Sequence, residues 1–431
     1  MRVLMFGWEF PPHISGGLGT ASYGLVKGLS NAGVEVLFVM PSASGDEDQS
    51  VASFVNASDV AFSTSVKDIY EFLDKVSYLR VGSNLAPYID PVLFSQLVEE
   101  QKREQVDEFR IQFGSKYKFS GKYGSNLFEE VSKYAVIAGS IAMQNKFDVI
   151  HAHDWLTYLA GIAAKRVSGK PLVIHVHATE FDRSGENVNT EVYKMEKMGM
   201  EEADRVITVS NLTRNIVINK YGIDASKVVT VHNAVDFQGY SEMNIERGVK
   251  EKVVTFLGRV TFQKGPEYFI EAADKVLKKC NNVRFVMAGS GDLLNRSIRR
   301  VAKLGIADRF HFTGFLKGDD VQRMYAHSDV YVMPSVSEPF GISPLEAMRS
   351  NVPTIISKQS GVAEVLKYAI KVDFWDIDAL ADAIYALLEY PSISEMAVRC
   401  GLDEVNALKW DNAALKVKEV YESVLELEIR S

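Results

Sequence analysis

Residues 2–40 read RVLMFGWEFPPHISGGLGTASYGLVKGLSNAGVEVLFVM and decide the fold. The apolar run at 2–7 is typical of a buried parallel strand, and a loop rich in Gly and Pro follows it. Helical spacing then runs to Gly33, which suits the end of a helix, before a second apolar strand at 34–41. A strand, a glycine-rich loop, a helix and a strand in this order predict a Rossmann-type βαβ unit.

Strands and helices continue to alternate along most of the chain, in two series separated by a polar stretch at 237–252. Two serial halves of similar size predict the α/β class, with two doubly wound, Rossmann-like domains and a deep cleft between them. We expect the first domain at 1–236 and the second at 237–400, followed by a long amphipathic helix within 401–431. Residues 42–135 fit neither series and are predicted to be an insertion.

The composition argues against several classes of function. A formal net charge of −8 and a pI near 5.6 lack the basic excess of a general nucleic-acid-binding protein, so we expect no nucleic-acid partner. Cys280 and Cys400 form no disulfide or zinc pattern, which fits a reducing compartment and predicts a cytoplasmic protein. The N-terminal stretch makes a poor signal peptide. No segment approaches the roughly 18 apolar residues of a membrane-spanning helix, so no integral membrane segment is expected.

Two glutamates, Glu338 and Glu346, lie eight positions apart in the stretch SEPFGISPLEAM at 337–348. A structural explanation is available, because Ser343 followed by Pro344 and by Glu346 has the form of a capping box at a helix start. The alternative is that both carboxylates bind a ligand. The stretch alone leaves both interpretations open.

Glycine-rich turns occur at Gly16, Gly17 and Gly19, and again at Gly289 and Gly291 after a later strand. Such turns let the backbone approach a ligand closely at a helix N-terminus, although an ordinary tight turn also uses glycine. The first turn matches neither the dinucleotide fingerprint nor the phosphate loop of nucleoside triphosphatases.

Two cations, Arg259 and Lys264, lie between a strand and a helix that begins near Pro266. Cations at the carboxyl end of a strand and beside a helix N-terminus suit a diphosphate. Solvated surface charges are the alternative, and they are the usual situation of lysine and arginine.

Four histidines, His151, His153, His175 and His177, form two His-x-His pairs at predicted strand ends. Each pair places both rings on one face of its strand, so together they could bind zinc. Zinc needs further ligands in a fixed geometry, and the sequence offers no obvious one beyond Asp154. A ligand-facing role at the carboxyl edge of the sheet, or burial in the core, are the other interpretations.

The motifs occur in a characteristic order: a Gly-Gly loop, HAHDW, HATE, VSN, HNAVD, GRVTFQKG, AGSGD, TGFL and EPFGISPLEAM. In this order they resemble the retaining, nucleotide-sugar-dependent glycosyltransferases of the GT-B fold, in family 4 and the glycogen and starch synthase group. The resemblance covers nearly the whole chain apart from 42–135, and its most specific part is Glu338 and Glu346 with Arg259 and Lys264 upstream.

The resemblance implies catalytic roles for four side chains. Glu338 would contact hydroxyls of the transferred sugar, and His153 would lie near the anomeric centre and the 6-hydroxyl. Arg259 and Lys264 would neutralise the charge that builds up on the leaving nucleotide. No cofactor and no metal ligand set are implied, so we expect a metal-independent enzyme.

The resemblance also implies a set of nucleotide-sugar contacts. Glu346 would hold the ribose, the N–H groups at 341–343 would meet the diphosphate, and Gly17 would pass close to the phosphates. The backbone at 315–316 would lie against the base, and the last helix would cross back onto the first domain. The predicted binding residues are Gly16, Gly17, Gly289, Phe315, Leu316, Phe340, Gly341, Ile342, Ser343 and Glu346.

The expected activity is retaining transfer of a hexosyl unit from an ADP-, UDP- or GDP-hexose to a carbohydrate or other hydroxyl acceptor. Glucose added to an α-glucan in an α linkage, as in glycogen synthesis, is the leading expectation. One departure stands against a strict glycogen synthase, because Ile14 occupies the position of a lysine in the bacterial enzymes. Alternatives are another GT-B enzyme such as an epimerase or phosphorylase, a zinc hydrolase that uses the His-x-His pairs, or a binding module without turnover.

Overall fold

The structure is a computed structural model that describes residues 1–13, 17–63, 115–121, 126–235, 248 and 250–430. The chain forms two compact units. Unit 1 comprises Met1–Phe181, Glu186–Val231 and Trp410–Ser431, and unit 2 comprises Asp182–Gly185 and His232–Lys409.

Unit 1 contains a sheet of seven parallel strands. The strands are β1 (Arg2–Phe6), β2 (Glu35–Met40), β3 (Ser53–Asn56), β4 (Val149–His153), β5 (Leu172–Val176), β6 (Arg205–Thr208) and β7 (Val228–Thr230). Their order in the sheet is β3-β2-β1-β4-β5-β6-β7. This order reverses direction between β1 and β4, and ligands of such sheets bind outside the carboxyl ends of the strands at that point.

The helices before the second unit are α1 (Gly17–Asn31), α2 (Leu127–Gln144), α3 (Trp155–Ser168), α4 (Glu180–Ser184), α5 (Thr190–Glu202) and α6 (Asn211–Tyr221). The βαβ unit predicted from residues 2–40 is present as β1, α1 and β2. Strand β1 is apolar at nearly every position because it is covered on both faces, and it pairs in parallel with β2 on one side and β4 on the other.

Unit 2 contains a six-stranded parallel sheet in the order β10-β9-β8-β11-β12-β13. Its strands are β8 (Lys252–Leu257), β9 (Val283–Ala288), β10 (Phe310–Gly314), β11 (Val330–Met333), β12 (Thr354–Ser357) and β13 (Ile370–Val372). Its helices are α7 (Pro266–Leu277), α8 (Leu294–Leu304), α9 (Asp319–His327), α10 (Ser343–Arg349), α11 (Ile377–Glu389) and α12 (Pro391–Ala407). The first strand again lies inside the sheet, so each unit is doubly wound around its own core, which confirms the predicted α/β class.

The final helix, α13 (Trp410–Arg430), belongs to unit 1 and packs against α1. Glycines on α1 make room for it, because a Cβ atom at Gly24 would lie 2.2 Å from the indole nitrogen of Trp410. The predicted boundaries at 236 and 401 differ from the structure, where the units change at Val231 and at Trp410. Residues 401–407 continue α12 of unit 2, because Val405 on this helix is buried.

The predicted insertion at 42–135 is wrong at both ends. Residues 53–56 form β3, the edge strand of the first sheet, and 127–135 begin the buried helix α2. Strand β3 carries no apolar run because it is short, begins with an exposed serine and is only partly buried. Residues 64–114 and 122–125 lie outside the described residues.

Candidate functional site

The loop that follows β11 carries Glu338, whose carboxylate forms an ion pair with the Lys264 ammonium group. The hydroxyl of Ser335 donates a second hydrogen bond to the same carboxylate oxygen, at 3.3 Å. The Glu338 side chain is only 8% exposed and the Lys264 side chain only 18% exposed. The structure therefore brings together two residues that are 74 positions apart, as a pair largely withdrawn from water.

Two backbone features hold this pair in place. Gly265 ends the short turn Phe262–Lys264 with a φ of +65°, a conformation that side chains disfavour. A Cβ atom there would also lie 2.2 Å from the carbonyl oxygen of Pro334. Because Gly265 has no side chain, the two loops approach closely enough for the Val336 N–H to donate to the Gln263 carbonyl at 2.9 Å.

The backbone of Glu338 is tied to the segment that follows β12. Its N–H donates to the Gln359 carbonyl at 2.9 Å, and its own carbonyl accepts from the Gly361 N–H at 2.8 Å. The buried Phe340 makes a similar bond to Val362, at 2.8 Å. The Glu338 loop therefore pairs with this segment in the manner of a short parallel strand.

The capping box, one of the two interpretations that the sequence left open at 343–346, is not formed at the start of α10. The helix begins at Ser343, and Ile342 precedes it without a side-chain cap. The Ser343 hydroxyl instead accepts a hydrogen bond from the Tyr331 hydroxyl at 2.8 Å. The phenol of Tyr325 donates to the Ser343 carbonyl at 3.1 Å. The capping interpretation, which the sequence had left open, does not hold here because two tyrosines from other elements engage the first residue of the helix.

Glu346 lies on α10 with its carboxyl group enclosed by protein, although part of the side chain remains accessible. Burial raises the pKa of this carboxyl to about 7, against the lowering effect of a 3.5 Å hydrogen bond from Tyr325. At neutral pH the group therefore exists in both protonation states, so it can donate or accept a hydrogen bond.

Arg259 follows β8, and its guanidinium donates to the Gln263 side-chain carbonyl at 3.3 Å. The neighbouring glycine-rich turn supports this segment, because the Val260 N–H donates to the Ser290 carbonyl at 2.9 Å. Gly289 has a φ of +145°, and a Cβ atom there would lie 1.8 Å from the Gly258 carbonyl oxygen. Close packing of two loops thus requires a glycine at position 289, and its predicted contact with a ligand stays a prediction.

Phe315 and Leu316 follow β10, and the Phe315 ring is 53% exposed. The Lys317 ammonium lies 5.7 Å from the centre of that ring. Because β8 to β11 are parallel, the segments that carry Arg259, Gly289, Phe315 and Glu338 all leave the same edge of the sheet of unit 2. This is the edge at which open α/β sheets bind ligands.

Unit 1 places its histidines at the carboxyl ends of β4 and β5. The rings of His151 and His153 are stacked with centres 4.3 Å apart, and the His175 ring lies 5.3 Å from each of them. Nδ1 of His153 lies 2.8 Å from Nε2 of His177, and Nδ1 of His151 lies 2.5 Å from the Tyr421 hydroxyl. Burial lowers the pKa of all four rings, to about 3 for His151 and His177, so the array is neutral at physiological pH.

Within the described ranges of the chain, three of these rings form a group that could hold a metal ion. Ring nitrogens of His151, His153 and His175 lie within 4.8 Å of one another. A tetrahedral zinc site with Zn–N bonds of about 2.0–2.1 Å needs nitrogens roughly 3.3 Å apart, so these stacked rings would have to rotate toward an ion. The structure therefore brings three of the histidines named from the sequence close together, but not as a preformed site.

The glycine-rich loop before α1 is described from Gly17 onward, whereas Ile14 and Gly16 lie outside the described residues. The carboxylate of Glu9, which the sequence did not single out, accepts a hydrogen bond from the Gly19 N–H at 3.2 Å. A buried carboxylate therefore already occupies one donor at the start of α1, and it would compete there with a phosphate.

With this architecture the protein has the fold of the GT-B glycosyltransferases. Sucrose-phosphate synthase from Thermosynechococcus elongatus matches with a TM-score of 0.72 at 18% identity over 99% of both chains. HepE from Anabaena, solved with UDP-glucose, matches with a TM-score of 0.65 at 18% identity over 98% of this chain and 100% of its own.

A family model described as starch synthase catalytic domain matches residues 2–231, more than half of the chain, and one described as glycosyl transferases group 1 matches 242–402. The chain belongs to the starch synthase catalytic domain family, and it is a glycosyltransferase, which confirms the predicted resemblance.

Curated relatives match over nearly the full length of the chain. An uncharacterised glycosyltransferase of Methanocaldococcus jannaschii is 29% identical over 99% of both chains. A glycogen synthase of Mycobacterium tuberculosis is 23% identical over 98% of this chain and 94% of its own. In the described part of the chain, none of the helices combines the length and apolar character needed to span a bilayer.

Proposed function

We propose that the protein transfers a hexosyl unit from a nucleotide-diphosphate sugar to a hydroxyl acceptor, with retention of the α configuration. The observation that carries this proposal is the buried Lys264–Glu338 pair, which lies with Arg259 among the loops that leave one edge of the unit 2 sheet. Two cations and a carboxylate at such an edge suit a donor with a negative diphosphate and a sugar rich in hydroxyl groups.

The reaction breaks the bond between the anomeric carbon and the diphosphate oxygen, and negative charge then builds up on the diphosphate. Lys264 and Arg259 stabilise that charge in the transition state, because fixed cations in a water-poor site need no reorganisation. Glu338 holds Lys264 in place and accepts hydrogen bonds from sugar hydroxyls. The acceptor oxygen bonds to the anomeric carbon on the face that the diphosphate leaves, and a donor phosphate oxygen takes its proton.

The remaining predicted contacts concern the nucleotide. Glu346 binds the ribose hydroxyls, and its carboxyl group can serve as donor or acceptor because its pKa is raised to about 7. The backbone of Phe315 and Leu316 lies against the base, and the N–H groups at the start of α10 meet the diphosphate. His153 acts near the anomeric carbon. The transfer needs no metal and no cofactor.

Glucose is the proposed sugar and an α-glucan the proposed acceptor. The glycogen synthase relative and the UDP-glucose complex of HepE support this choice by name only, so ADP-, UDP- and GDP-glucose are all to be compared. The proposed compartment is the cytoplasm, because a reducing environment suits the free Cys280 and Cys400.

The test measures nucleotide release and sugar transfer with ADP-, UDP- and GDP-glucose, each with and without a chelator. We expect one donor to be turned over, equally in both conditions, and NMR of the product to show an α linkage. Lys264→Met should lower kcat by a factor of about 10² to 10³. Lys275→Met is the matched control, because Lys275 forms a surface ion pair with Asp378 in the same unit and its loss should leave transfer unchanged.

Three results would contradict the proposal. A β-linked product would exclude retention, and loss of transfer in the chelator would exclude a metal-free reaction. Conversion of the nucleotide sugar to an epimer, or release of a sugar phosphate, would replace the transferase by an epimerase or a phosphorylase.

A further inference from the structure

Asp154 lies between β4 and α3 in a backbone conformation that is rarely adopted by residues with side chains. Its φ is +57° and its ψ is +170°, and the residue is buried. Only glycine adopts this region without steric cost, and such strain persists only where surrounding interactions impose it. The chain nevertheless has an aspartate at this position, so its side chain must contribute something that a glycine would not.

The carboxylate does not do what an aspartate before a helix usually does. An aspartate at this position commonly accepts a hydrogen bond from the first turn of its own helix, but Asp154 makes no such bond. Its Oδ1 atom instead accepts from the N–H of His177 at 2.7 Å and from the N–H of Ala178 at 3.3 Å. Its own N–H donates to the His175 carbonyl at 3.0 Å.

These bonds connect the segment after β4 to the segment after β5, and the two segments carry a hydrogen-bonded histidine pair. His153 precedes Asp154 directly, and its Nδ1 atom lies 2.8 Å from Nε2 of His177. The other nitrogen of His153, Nε2, is buried and has no hydrogen-bond partner among the described residues. Because both rings are neutral, one donates to the other, so the tautomer of His153 is coupled to the tautomer of His177.

We propose that Asp154 is a positioning residue, whose strained backbone and carboxylate fix the His153–His177 pair and so set which nitrogen of His153 carries the hydrogen. This inference rests on the proposed function of His153. Without the carboxylate, the segment after β5 loses two bonds, and the His177 ring is no longer held at a hydrogen-bonding distance from His153.

The test uses three substitutions that separate backbone strain from the carboxylate. Asp154→Gly removes both, Asp154→Ala removes only the carboxylate, and Asp154→Asn keeps an oxygen that can accept the same hydrogen bonds. We expect the glycine variant to melt at a higher temperature than the alanine variant, because only glycine relieves the strain. Both should lose kcat by between about 10- and 100-fold, with little change in KM for the donor, and asparagine should restore most of kcat.

A matched control lies at the other end of β5. Asp204 accepts from the Leu172 N–H at 2.7 Å and from Lys165, so it also holds this strand by a carboxylate. Asp204→Ala should lower the melting temperature and leave kcat unchanged. If kcat instead follows the melting temperature across all four variants, Asp154 has only a structural role and the proposal is overturned.

A second measurement is independent of transfer. Long-range proton–nitrogen NMR spectra of the imidazoles report the tautomer of each histidine. We expect a single tautomer of His153 in the wild type and in Asp154→Asn, and a mixture in Asp154→Gly. Unchanged spectra in the glycine variant would refute the positioning role even if the wild type transferred no sugar, whereas changed spectra without transfer would refute only the proposed function.

Discussion

Glu346 should make the stability of unit 2 depend on pH in a direction opposite to that of most carboxylates. Burial of its carboxyl group raises its pKa in the folded protein to about 7, from an ordinary value of 4.5. Between these two pH values the folded state holds a proton that the unfolded state has released. Stability is therefore complete below the unfolded pKa and falls as the pH rises through the folded pKa.

The magnitude follows from the difference between the two pKa values. Each unit of pKa corresponds to 1.36 kcal/mol, so the 2.5 units between 4.5 and about 7 give a loss of about 3 kcal/mol. Glu346→Gln keeps a hydrogen-bonding side chain of the same size but cannot ionise. The variant should lack this decline, and its stability relative to the wild type should increase by about 3 kcal/mol from pH 4.5 to 8.

The assay is hydrogen exchange by mass spectrometry on the peptide that carries α10. The intrinsic rate of amide exchange changes with pH equally in all variants, so comparing the variants at the same pH removes this effect. The control is Glu395→Gln, which changes an exposed glutamate of α12 in the same unit and should give a curve parallel to that of the wild type. Parallel curves for Glu346→Gln and the wild type would refute the reasoning, since the Glu346 carboxylate would then be as well solvated as in the unfolded chain.

Three further changes test the packing. Lys264→Met should destabilise unit 2 by about 3–5 kcal/mol in urea unfolding, because it leaves the buried Glu338 carboxylate without its cation. Adding Glu338→Gln should recover part of that loss. Strictly additive effects in the double variant would disprove the pairing. Gly289→Ala should lower the melting temperature, because its Cβ atom would lie 1.8 Å from the Gly258 carbonyl oxygen, and an unchanged melting temperature would contradict this close approach. Trp410→Ala should cost about 3–5 kcal/mol in unit 1, measured by urea unfolding, and a cost below 1 kcal/mol would show that α13 is held elsewhere.

Much of the fold could be predicted from local patterns. Strands such as β1 and β8 are apolar along their length because both faces of a parallel sheet are covered, so each is visible without its neighbours. Strand β3 was missed because it lies at the sheet edge and is only partly buried. The boundary at Trp410 was missed because the sequence on both sides of it is helical, and only packing against α1 assigns α13 to unit 1.

The candidate site was harder to predict, because its residues depend on partners that are distant in the chain. The pairing of Lys264 with Glu338 joins two loops, and Gly265 is the local signal that they approach closely. The capping box failed because Tyr331, from β11, engages the Ser343 hydroxyl instead. The sequence singled out Asp154 only as a further candidate zinc ligand, and its φ and its partners across the sheet become visible only in the structure.

The return of the chain to unit 1 through α13 affects the order in which the two units can be completed during synthesis. Unit 1 consists of separate stretches of sequence, and unit 2 lies almost entirely between the second stretch and α13. A ribosome must therefore make all of unit 2 before the helix that covers α1 is available. During that interval the face of α1 around Gly24 lacks its native cover, so unit 2 can fold first while unit 1 awaits completion. Exposure of this surface to chaperones and proteases is thus determined by the translation time of the other unit.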